Sequence, residues 1–207
     1  VLGAGIVGQG AIDILASLGA QVTVMDINVG VLRQIGSQFP KNVQTAFSNQ
    51  ANIRELLPQT DLVINAVKWP KHRKDHLISR DMLKLMIPGS VIVDVSADVG
   101  GAIETYQPTT HEEPTYVIDG IVHYGVDNIP AAVPHTISIA YAAVVLPHLQ
   151  AIANLGVAEA CRRDACLRRS LAVYQGQLTH EETAHIQDRK REITEEILDL
   201  KDYEELN

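Results

Sequence analysis

Three glycines at the start of the chain have the spacing that lets a phosphate group approach the backbone. Gly3, Gly5 and Gly8 follow an apolar pair and precede a helical pattern. The first glycine of such a set permits a tight turn, the second leaves room for a pyrophosphate, and the third allows a helix to pack closely on the sheet. A helix that begins here directs its free N–H groups at the phosphates. The stretch therefore predicts a nucleotide-binding turn.

An acidic residue supports this prediction. Asp26 follows the apolar run 21–25 and lies 18 positions after Gly8. At the end of a strand, a carboxylate can accept hydrogen bonds from the adenosine ribose hydroxyls and repel a 2′-phosphate. Chance spacing of glycines is the alternative, but strand, turn, helix and acid occur here in register. We predict that the chain binds NAD in preference to NADP.

The composition limits the other partners. The 207 residues are 46% hydrophobic and carry a formal net charge of -8, which argues against nucleic acid. No uninterrupted run of about eighteen apolar residues occurs, so we expect no membrane span. No His, Cys, Asp or Glu spacing suggests a metal site. Cys161 and Cys166 fit reduced thiols of a cytoplasmic protein.

Helices and strands are predicted to alternate as far as about residue 134. The predicted helices are 6–18, 29–38, 53–57 and 79–86, and the predicted strands are 21–25, 43–47, 61–67, 90–95, 116–118 and 124–126. This order predicts an α/β fold with a doubly wound parallel sheet of the Rossmann type. Val1 falls inside a first strand and no initiator Met precedes it, so we expect the chain to be a piece of a longer protein.

The remaining third is predicted to be helical. Residues 136–155 form one long apolar helix that contains Pro147, and 157–173 continue as helix. A helix this apolar needs partners on several sides. Thr179 and Glu182 resemble a capping box. We therefore predict a nucleotide-binding domain at 1–134, a helical segment at 135–187 and an acidic amphipathic tail helix at 188–207.

A series of short blocks, in order and with fixed spacing, carries a resemblance to a known family. The blocks are 22–28, 61–67, 88–94, 98–101, 108–111, 114–116, 123–124, 128–130 and 132–134. Through them the chain resembles the alanine dehydrogenase and pyridine nucleotide transhydrogenase family, from Val1 to about Ile186. So many ordered blocks are far more specific than the glycine motif alone.

The resemblance implies both architecture and activity. The helical segment would return near Pro134 to a substrate domain whose other half precedes the nucleotide domain. That other half, which in the family supplies a catalytic histidine and the lysine and arginine that hold the substrate, is not in this chain. The implied reaction is the reversible, NAD-dependent oxidative deamination of L-alanine to pyruvate and ammonia in a homohexamer.

The resemblance also implies the residues of the site. Ile6 and Val7 would lie at the phosphate turn, Asp26 at the ribose, and Ser48 near the adenine. The later loops would contribute Val67, Lys68, Val95, Ser96, Ala97, Asp98, Val126, Asp127, Asn128 and Ile129. Asp98 matches the family's catalytic carboxylate, and a purely structural turn aspartate before Gly100 is the alternative.

Several positions depart from the family pattern. The basic loop 69–75 follows a strand end and is either a solvated loop or a lid close to the cofactor. Its residues 71–75 replace a Gly-Ala-Lys-Ala-Pro segment of the family. Asp127 replaces a usual alanine, Val99 a glutamine and His135 a basic residue. The amino acid used is therefore open.

Two other functions remain open. One is a transhydrogenase-like nucleotide-binding subunit, and the other is a non-catalytic NAD-binding module.

For His111, His123 and His135 we expect structural hydrogen bonding.

Overall fold

Leu2, only one residue from the start of the chain, joins two halves of a sheet. In the computed structural model, which describes residues 1–70, 73–180, 183–184 and 187, it forms parallel bridges to both Met25 and Asn65. The strands are β1 (Val22–Asp26), β2 (Val43–Phe47), β3 (Leu62–Asn65), β4 (Val91–Asp94), β5 (Thr115–Ile118) and β6 (Ile121–Tyr124). With Leu2 in the centre, the strand order is β2, β1, Leu2, β3, β4, β6, β5.

Most of the sheet is parallel, as predicted, but its edge is not. The pairs β1–β2, β3–β4 and β4–β6 are parallel, whereas β5 and β6 form an antiparallel hairpin. The turn between them is Asp119–Gly120, with φ of 51° and 85°. An Asp-Gly pair with two positive φ angles is typical of a two-residue hairpin turn. The prediction of a strand at 124–126 was wrong because this turn places β6 at Ile121–Tyr124.

Asparagine side chains set the start of two helices. Asn28 accepts hydrogen bonds from Gly30 N and Val31 N and begins α2 (Val29–Gln38), as predicted. Asn49 accepts one from Asn52 N and begins α3 (Gln50–Leu56), three residues before the predicted start. Asparagine is among the best N-cap residues because its side-chain oxygen satisfies a free N–H of the first turn.

Two predicted α-helical segments contain 3-10 turns instead. Pro58 lies inside the 3-10 turn Leu57–Gln59 that follows α3. The predicted α-helix 79–86 is the 3-10 segment Arg80–Leu85. Ser79 does not cap this segment, because its hydroxyl donates to the Asp81 carboxylate.

The sequence places the apolar residues Ile6, Ile12, Leu15 and Leu18 on one side of the first helix, and α1 (Ile6–Ser17) buries this side only in part. Its buried residues are Gly8, Ile12 and Ala16, which follow one another at intervals of four. Ile6, predicted to be on the packed face, is 93% exposed at the start of the helix. Gly8 and Ala16 are the small residues of this face, and Gly8 allows the helix axis to approach the sheet closely.

The sheet is covered on both faces. Val22 and Val24 of β1 pack with Ile12 of α1 and Ile35 of α2 in one cluster. Met25, the next residue of β1, belongs to a second cluster with side chains from α3 and the 3-10 segments. Successive strand residues point to opposite faces, so the two clusters lie on opposite sides of a doubly wound sheet.

A second compact unit begins at Val133, whereas the first spans Val1–Ala132. Its elements are α4 (Pro134–Leu155), α5 (Val157–Arg163), α6 (Ala165–Ser170) and the hairpin of β7 (Val173–Tyr174) with β8 (Gln177–Leu178). The predicted continuous helix 157–173 was wrong. Asp164 interrupts it by capping α6, through hydrogen bonds from Cys166 N and Leu167 N. Cys161 is buried, Cys166 is exposed, and both are free thiols.

The longest helix, α4, presents apolar side chains to its surroundings. Ile139, Tyr141, Val144, Leu146 and Leu149 are among its exposed large residues. Within the described part of the chain it is the one helix long and apolar enough to cross a membrane, by length and composition only.

The predicted tail helix 188–207 and Glu182 of the predicted capping box lie outside the described residues, and the predicted domain limits stay a prediction.

A buried histidine links β6 to its neighbours. His123 is 2% exposed, and its Nδ1 lies 3.1 Å from Ile121 O while its Nε2 lies 2.8 Å from Thr105 Oγ1. The ring stacks on Tyr116 with centroids 5.0 Å apart. A carbonyl can only accept, so Nδ1 carries the proton and Nε2 accepts from the threonine hydroxyl. The neutral imidazole satisfies both contacts, and burial lowers the pKa of His123. The expectation of a structural role for this histidine agrees with these contacts.

This histidine should make the protein less stable in acid. The unfolded chain binds a proton on His123 near its ordinary pKa of about 6.5, and the folded chain binds it only at a lower pH. The free energy of unfolding should therefore fall from about pH 7 to about pH 5. Urea denaturation across this range should show a smaller fall for His123→Gln and an unchanged one for the exposed His135→Gln. Equal pH dependence in wild type and His123→Gln would contradict the assignment.

Candidate functional site

The predicted site residues come together at one edge of the sheet. Leu2 forms parallel bridges to β1 and β3, β3 pairs in parallel with β4, and β4 pairs in parallel with β6. All four strands therefore run in the same direction, and their carboxyl ends lie along the same edge, at Asp26, Asn65, Asp94 and Tyr124. The glycine turn follows Leu2, Asp26 is itself a strand end, and the other predicted site residues lie in the loops that follow these strand ends or the end of β2. Ligands of open α/β sheets bind at this edge.

The glycine turn has the shape that its spacing predicts. Gly3 has a φ of 88°, and a Cβ there would lie 2.8 Å from Ala66 O. Gly5 is the N-cap of α1, and no described heavy atom lies within 4 Å of the position that its Cβ would occupy. In the described part of the chain no side chain caps α1. The open space and the uncapped N–H groups of the first turn, where Ile6 and Val7 are exposed, fit a pyrophosphate.

Asp26 has a second role that the sequence analysis did not assign. Its Oδ2 accepts a 2.8 Å hydrogen bond from Ala4 N, within the glycine turn, and its Oδ1 accepts one of 2.8 Å from Asn28 N. The carboxylate therefore fixes the turn as well as lying where a ribose would bind. Ser48 is close by, since its N–H donates to Asp26 O at 3.0 Å.

Two buried polar residues, Asn65 and Asp94, lie side by side at the ends of β3 and β4 and were missed by the sequence analysis. They are 0% and 2% exposed, and Asn65 Nδ2 donates to Asp94 Oδ1 at 2.8 Å. Burial raises the pKa of Asp94, although hydrogen bonds from Asn65 and the backbone oppose this shift. Asp94 Oδ2 is buried and has no hydrogen-bond partner among the described residues. The available signal was a polar residue ending each of two apolar strands.

The loops that follow these strands touch each other. Ser96 Oγ donates to Val67 O at 2.8 Å, which brings two predicted cofactor-contacting residues together. Lys68, next to Val67, is exposed. Val95 to Asp98 are all half-buried, and Ala97 has a φ of 52°, a left-handed conformation uncommon for residues other than glycine.

Asp98, the candidate catalytic residue, begins a tight turn. Gly101 N donates to Asp98 O at 2.8 Å, and a Cβ on Gly101 would lie 2.6 Å from the same oxygen. His76 closes the turn from outside, since its Nδ1 lies 2.7 Å from Gly101 O. Thus the backbone of Asp98 has the turn role that was considered as an alternative, while its half-buried side chain belongs to the same site edge.

The last predicted loop follows β6. Val126 is buried, Ile129 is half-buried, and Asp127 and Asn128 are exposed. His111 Nε2 donates to Asn128 O at 2.8 Å and so ties this loop to a neighbouring segment, in agreement with the structural role expected for it.

Tyr106 lies near acidic residues of both this loop and the loop that follows β4. Burial first, and then the nearby carboxylates Asp94, Asp127 and Asp98, raise the pKa of Tyr106 to about 12. The structure thus collects three acidic groups around one tyrosine. Sequence spacing did not indicate this cluster, because its members come from two separate loops and a strand end.

The basic loop after β3 is anchored by Trp69. This side chain is 5% exposed, and its Nε1 donates to Asp75 O at 3.0 Å. Arg73 stacks on the Trp69 ring at 4.1 Å and pairs with the Asp75 carboxylate. Arg73 is therefore engaged within the loop while remaining partly exposed, which favours a solvated loop over a lid for this part. Lys71, of the predicted lid, lies outside the described residues.

A cavity of about 590 Å³ lies elsewhere. Gln21 and Val22 at the start of β1 and Asp61 and Leu62 at the start of β3 line it, so it lies toward the amino ends of the strands. It is therefore separate from the edge that collects the predicted residues. Among the described residues, no group of three or more His, Cys, Asp or Glu side chains could hold a metal ion.

Comparison with known proteins identifies relatives over most of the chain. The family profile described as "Alanine dehydrogenase/PNT, C-terminal domain" matches residues 1–181. Alanine dehydrogenase of Bacillus subtilis is 42% identical over 185 residues, which cover 89% of this chain and 49% of that protein. That of Halomonas elongata is 42% identical over 184 residues, or 89% of this chain and 50% of that protein. The chain spans about half the length of the curated relatives it matches.

Solved structures agree with these matches. An L-alanine dehydrogenase has a TM-score of 0.79 and 40% sequence identity, and the match covers 90% of this chain and 52% of that one. A transhydrogenase from Sinorhizobium meliloti has a TM-score of 0.62 and 27% identity, with 75% and 44% covered. The Rossmann-type α/β fold predicted from the sequence is confirmed.

Proposed function

Since the chain belongs to the alanine dehydrogenase/PNT family, in its C-terminal domain, we propose that it is the nucleotide-binding part of an NAD-dependent L-alanine dehydrogenase. The whole enzyme would catalyse the reversible oxidative deamination of L-alanine to pyruvate and ammonia. The observation that carries this proposal is the open glycine turn held by the Asp26 carboxylate, in a chain 42% identical to an alanine dehydrogenase.

The chain's own residues bind and orient the cofactor in this proposal. The N–H groups at the start of α1 receive the pyrophosphate, and Asp26 accepts hydrogen bonds from the adenosine ribose while Ser48 lies beside the adenine. In this proposal Val67 and Lys68, after β3, would contact the cofactor from the strand ends. Val126 and the residues that follow it, up to Ile129, would form the last cofactor-contacting loop. Bound NAD supplies the hydride acceptor for the Cα hydrogen of the amino acid.

Asp98 is the catalytic residue that we assign to this chain. A half-buried carboxylate at the nicotinamide side can stabilise positive charge that develops on the substrate nitrogen and can hold the water that reacts there. The exposed Asp127 and the nearby Asp94 make this side strongly acidic. Negative charge here stabilises the positive charge that the substrate nitrogen gains when hydride leaves the Cα of the neutral amine, which suits an amino-acid substrate.

Alternative functions are less well supported. The transhydrogenase match has the lower TM-score and identity, 0.62 and 27% against 0.79 and 40%. A non-catalytic NAD-binding module would need the same glycine turn but not Asp98, so activity measurements separate it from the enzyme.

We further propose a cytoplasmic homo-oligomer, a hexamer by resemblance to the family. The free thiols of Cys161 and Cys166 suit a reducing compartment. The exposed apolar side chains of α4 suit contact with protein. His148 of α4 also lies 2.5 Å from the Asp164 carboxylate, a polar contact that suits a protein environment better than a lipid one.

The test is alanine-dependent formation of NADH by the full-length protein. Asp98→Asn should lower kcat by about 100-fold or more, because it removes the charge while keeping the size, and should change the Kd for NADH by about threefold at most. Asp13→Asn, an exposed carboxylate on α1, is the matched control and should leave kcat unchanged. A panel of amino acids should be assayed in parallel, since Asp127 and His135 depart from the family pattern.

Two results would overturn the assignment. NADH binding without oxidation of any amino acid would favour the non-catalytic module. Full activity in Asp98→Asn would keep the enzyme but remove Asp98 from its chemistry.

A further inference from the structure

The loops after β3 and β4 are joined by a closed set of hydrogen bonds, which we call the polar ring and which consists of Asn65, Val67, Asp94 and Ser96. Asn65 Oδ1 accepts from Val67 N at 3.3 Å, and Asn65 Nδ2 donates to Asp94 Oδ1 at 2.8 Å. The same Asp94 oxygen accepts from Ser96 N at 3.0 Å, and Ser96 Oγ donates back to Val67 O at 2.8 Å. The ring therefore starts and ends at Val67.

The polar ring joins the chain segments after β3 and β4 by hydrogen bonds beyond the last residue pair of the β3–β4 ladder. The β3–β4 ladder ends at the pair Asn65 and Asp94, apart from one further bond from Val95 N to Asn65 O at 2.9 Å. Beyond that point Ser96 N and Ala97 N turn to the Asp94 side chain, at 3.0 and 3.3 Å. The second of these bonds supports Ala97 in its left-handed conformation, with φ of 52°.

On its other side the ring reaches the glycine turn. Val67 Cγ2 would lie 3.2 Å from a Cβ on Gly3, and Ala66 N donates to Leu2 O at 2.8 Å. A displacement of Val67 would therefore disturb the backbone that receives the pyrophosphate. A displacement of Ser96 would carry Ala97 and Asp98 with it. One buried pair thus lies between the phosphate-binding turn and the candidate catalytic loop.

We propose that Asn65 and Asp94 are positioning residues that lock these two loops together, so that the glycine turn and Asp98 hold one bound dinucleotide in a fixed relative position. Neither side chain needs to touch the cofactor or substrate. The catalytic consequence rests on the proposed function, whereas the effect on the loops does not. Preorganised site geometry of this kind matters because small displacements of reacting groups cost large factors in rate.

Variants at the two positions can separate positioning from stability. In the double variant Asn65→Leu/Asp94→Leu both partners become apolar side chains of similar size, so neither is left as an unpaired polar side chain in the core and folding should largely be preserved. The N–H groups of Val67, Ser96 and Ala97, which belong to half-buried loop residues, lose their acceptors, and this is the intended break in the ring. Asp94→Asn retains an oxygen that can accept all three N–H groups and places an amide nitrogen where Oδ2 lacks a described partner. Ser90→Ala is the matched control, since Ser90 Oγ donates to Thr60 O at 3.2 Å and bridges the same two strands at their amino ends.

The measurements are the Kd for NADH, thermal unfolding and hydrogen exchange of the Ser96 and Ala97 amides in the full-length protein. In the double leucine variant we expect NADH binding to weaken by about tenfold or more and both amides to exchange about tenfold faster or more. Asp94→Asn should bind NADH within about threefold of wild type. Ser90→Ala should lower the unfolding temperature without changing NADH binding or the exchange of these amides.

Each outcome decides between the interpretations. If the folded double leucine variant binds NADH as wild type does, or if Ser90→Ala weakens binding equally, the pair is only part of the core and the proposal fails. If the double variant does not fold, two single variants provide the same comparison: Asn65→Ala breaks the polar ring and Asp94→Asn keeps it. If the wild-type protein binds no NADH, the proposed function fails, and amide exchange alone then decides whether the pair fixes the loops.

Discussion

Gly8→Ala is expected to abolish NADH binding and to destabilise the protein, while Gly10→Ala in the same helix should leave NADH binding unchanged and slightly raise stability. A Cβ on Gly8 would lie 1.9 Å from Gly3 O, a backbone atom that cannot move without opening the turn. A Cβ on Gly10 would have no described atom within 4 Å. Alanine is also the better helix former, so the loss at Gly8 is steric. We expect a cost of about 3 kcal/mol or more for Gly8→Ala.

Gly5→Ala separates the two consequences of the motif. No described heavy atom lies within 4 Å of a Cβ at this position, so the fold should tolerate the substitution. The same Cβ would occupy the space that we assign to the pyrophosphate, and NADH binding should weaken by about tenfold or more. Thermal unfolding and calorimetric titration of the three variants in the full-length protein measure both effects. Normal NADH binding in Gly5→Ala would place the phosphates elsewhere.

The accuracy of the sequence predictions depended on whether the signal was local. The glycine turn, the limits of α2 and the long helix α4 each rest on residues that are neighbours in sequence, and all three were predicted. The hairpin at the sheet edge also had a local signal, Asp119–Gly120, which was overlooked. The packed face of α1 was predicted correctly at Ile12 but wrongly at Ile6, because hydrophobicity was weighed without the close approach of the helix at Gly8.

The arrangement of polar groups within the site could not be predicted from the sequence to the same extent. Asn65 and Asp94 are 29 positions apart, and the hydrogen bond between them depends on the register of β3 against β4. The electrostatic effect of Asp94, Asp98 and Asp127 on the pKa of Tyr106 likewise depends on the order of strands in the sheet. Residue types could indicate a cofactor site at the strand ends, but tertiary pairing determines which polar groups meet there.

Substitution of Asp26 should change both the affinity for NADH and the choice between NADH and NADPH. Its two oxygens hold Ala4 N and Asn28 N, each at 2.8 Å, and its charge would repel a 2′-phosphate. Asp26→Asn removes the charge but keeps one acceptor, so the preference for NADH should fall by about tenfold or more while NADH affinity falls less. Asp26→Ala removes both acceptors and should weaken both nucleotides by about tenfold or more.

The comparison of these two variants distinguishes repulsion from support of the turn. If Asp26 acted by repulsion alone, Asp26→Ala would bind NADPH better than wild type does. Because the carboxylate also holds Ala4 N within the glycine turn, we expect Asp26→Ala to lose NADPH binding as well. Titration of the full-length protein with both nucleotides measures this, with Asp61→Asn as a control carboxylate at the start of β3, away from the site edge. Improved NADPH binding in Asp26→Ala would show that the turn keeps its shape without the carboxylate.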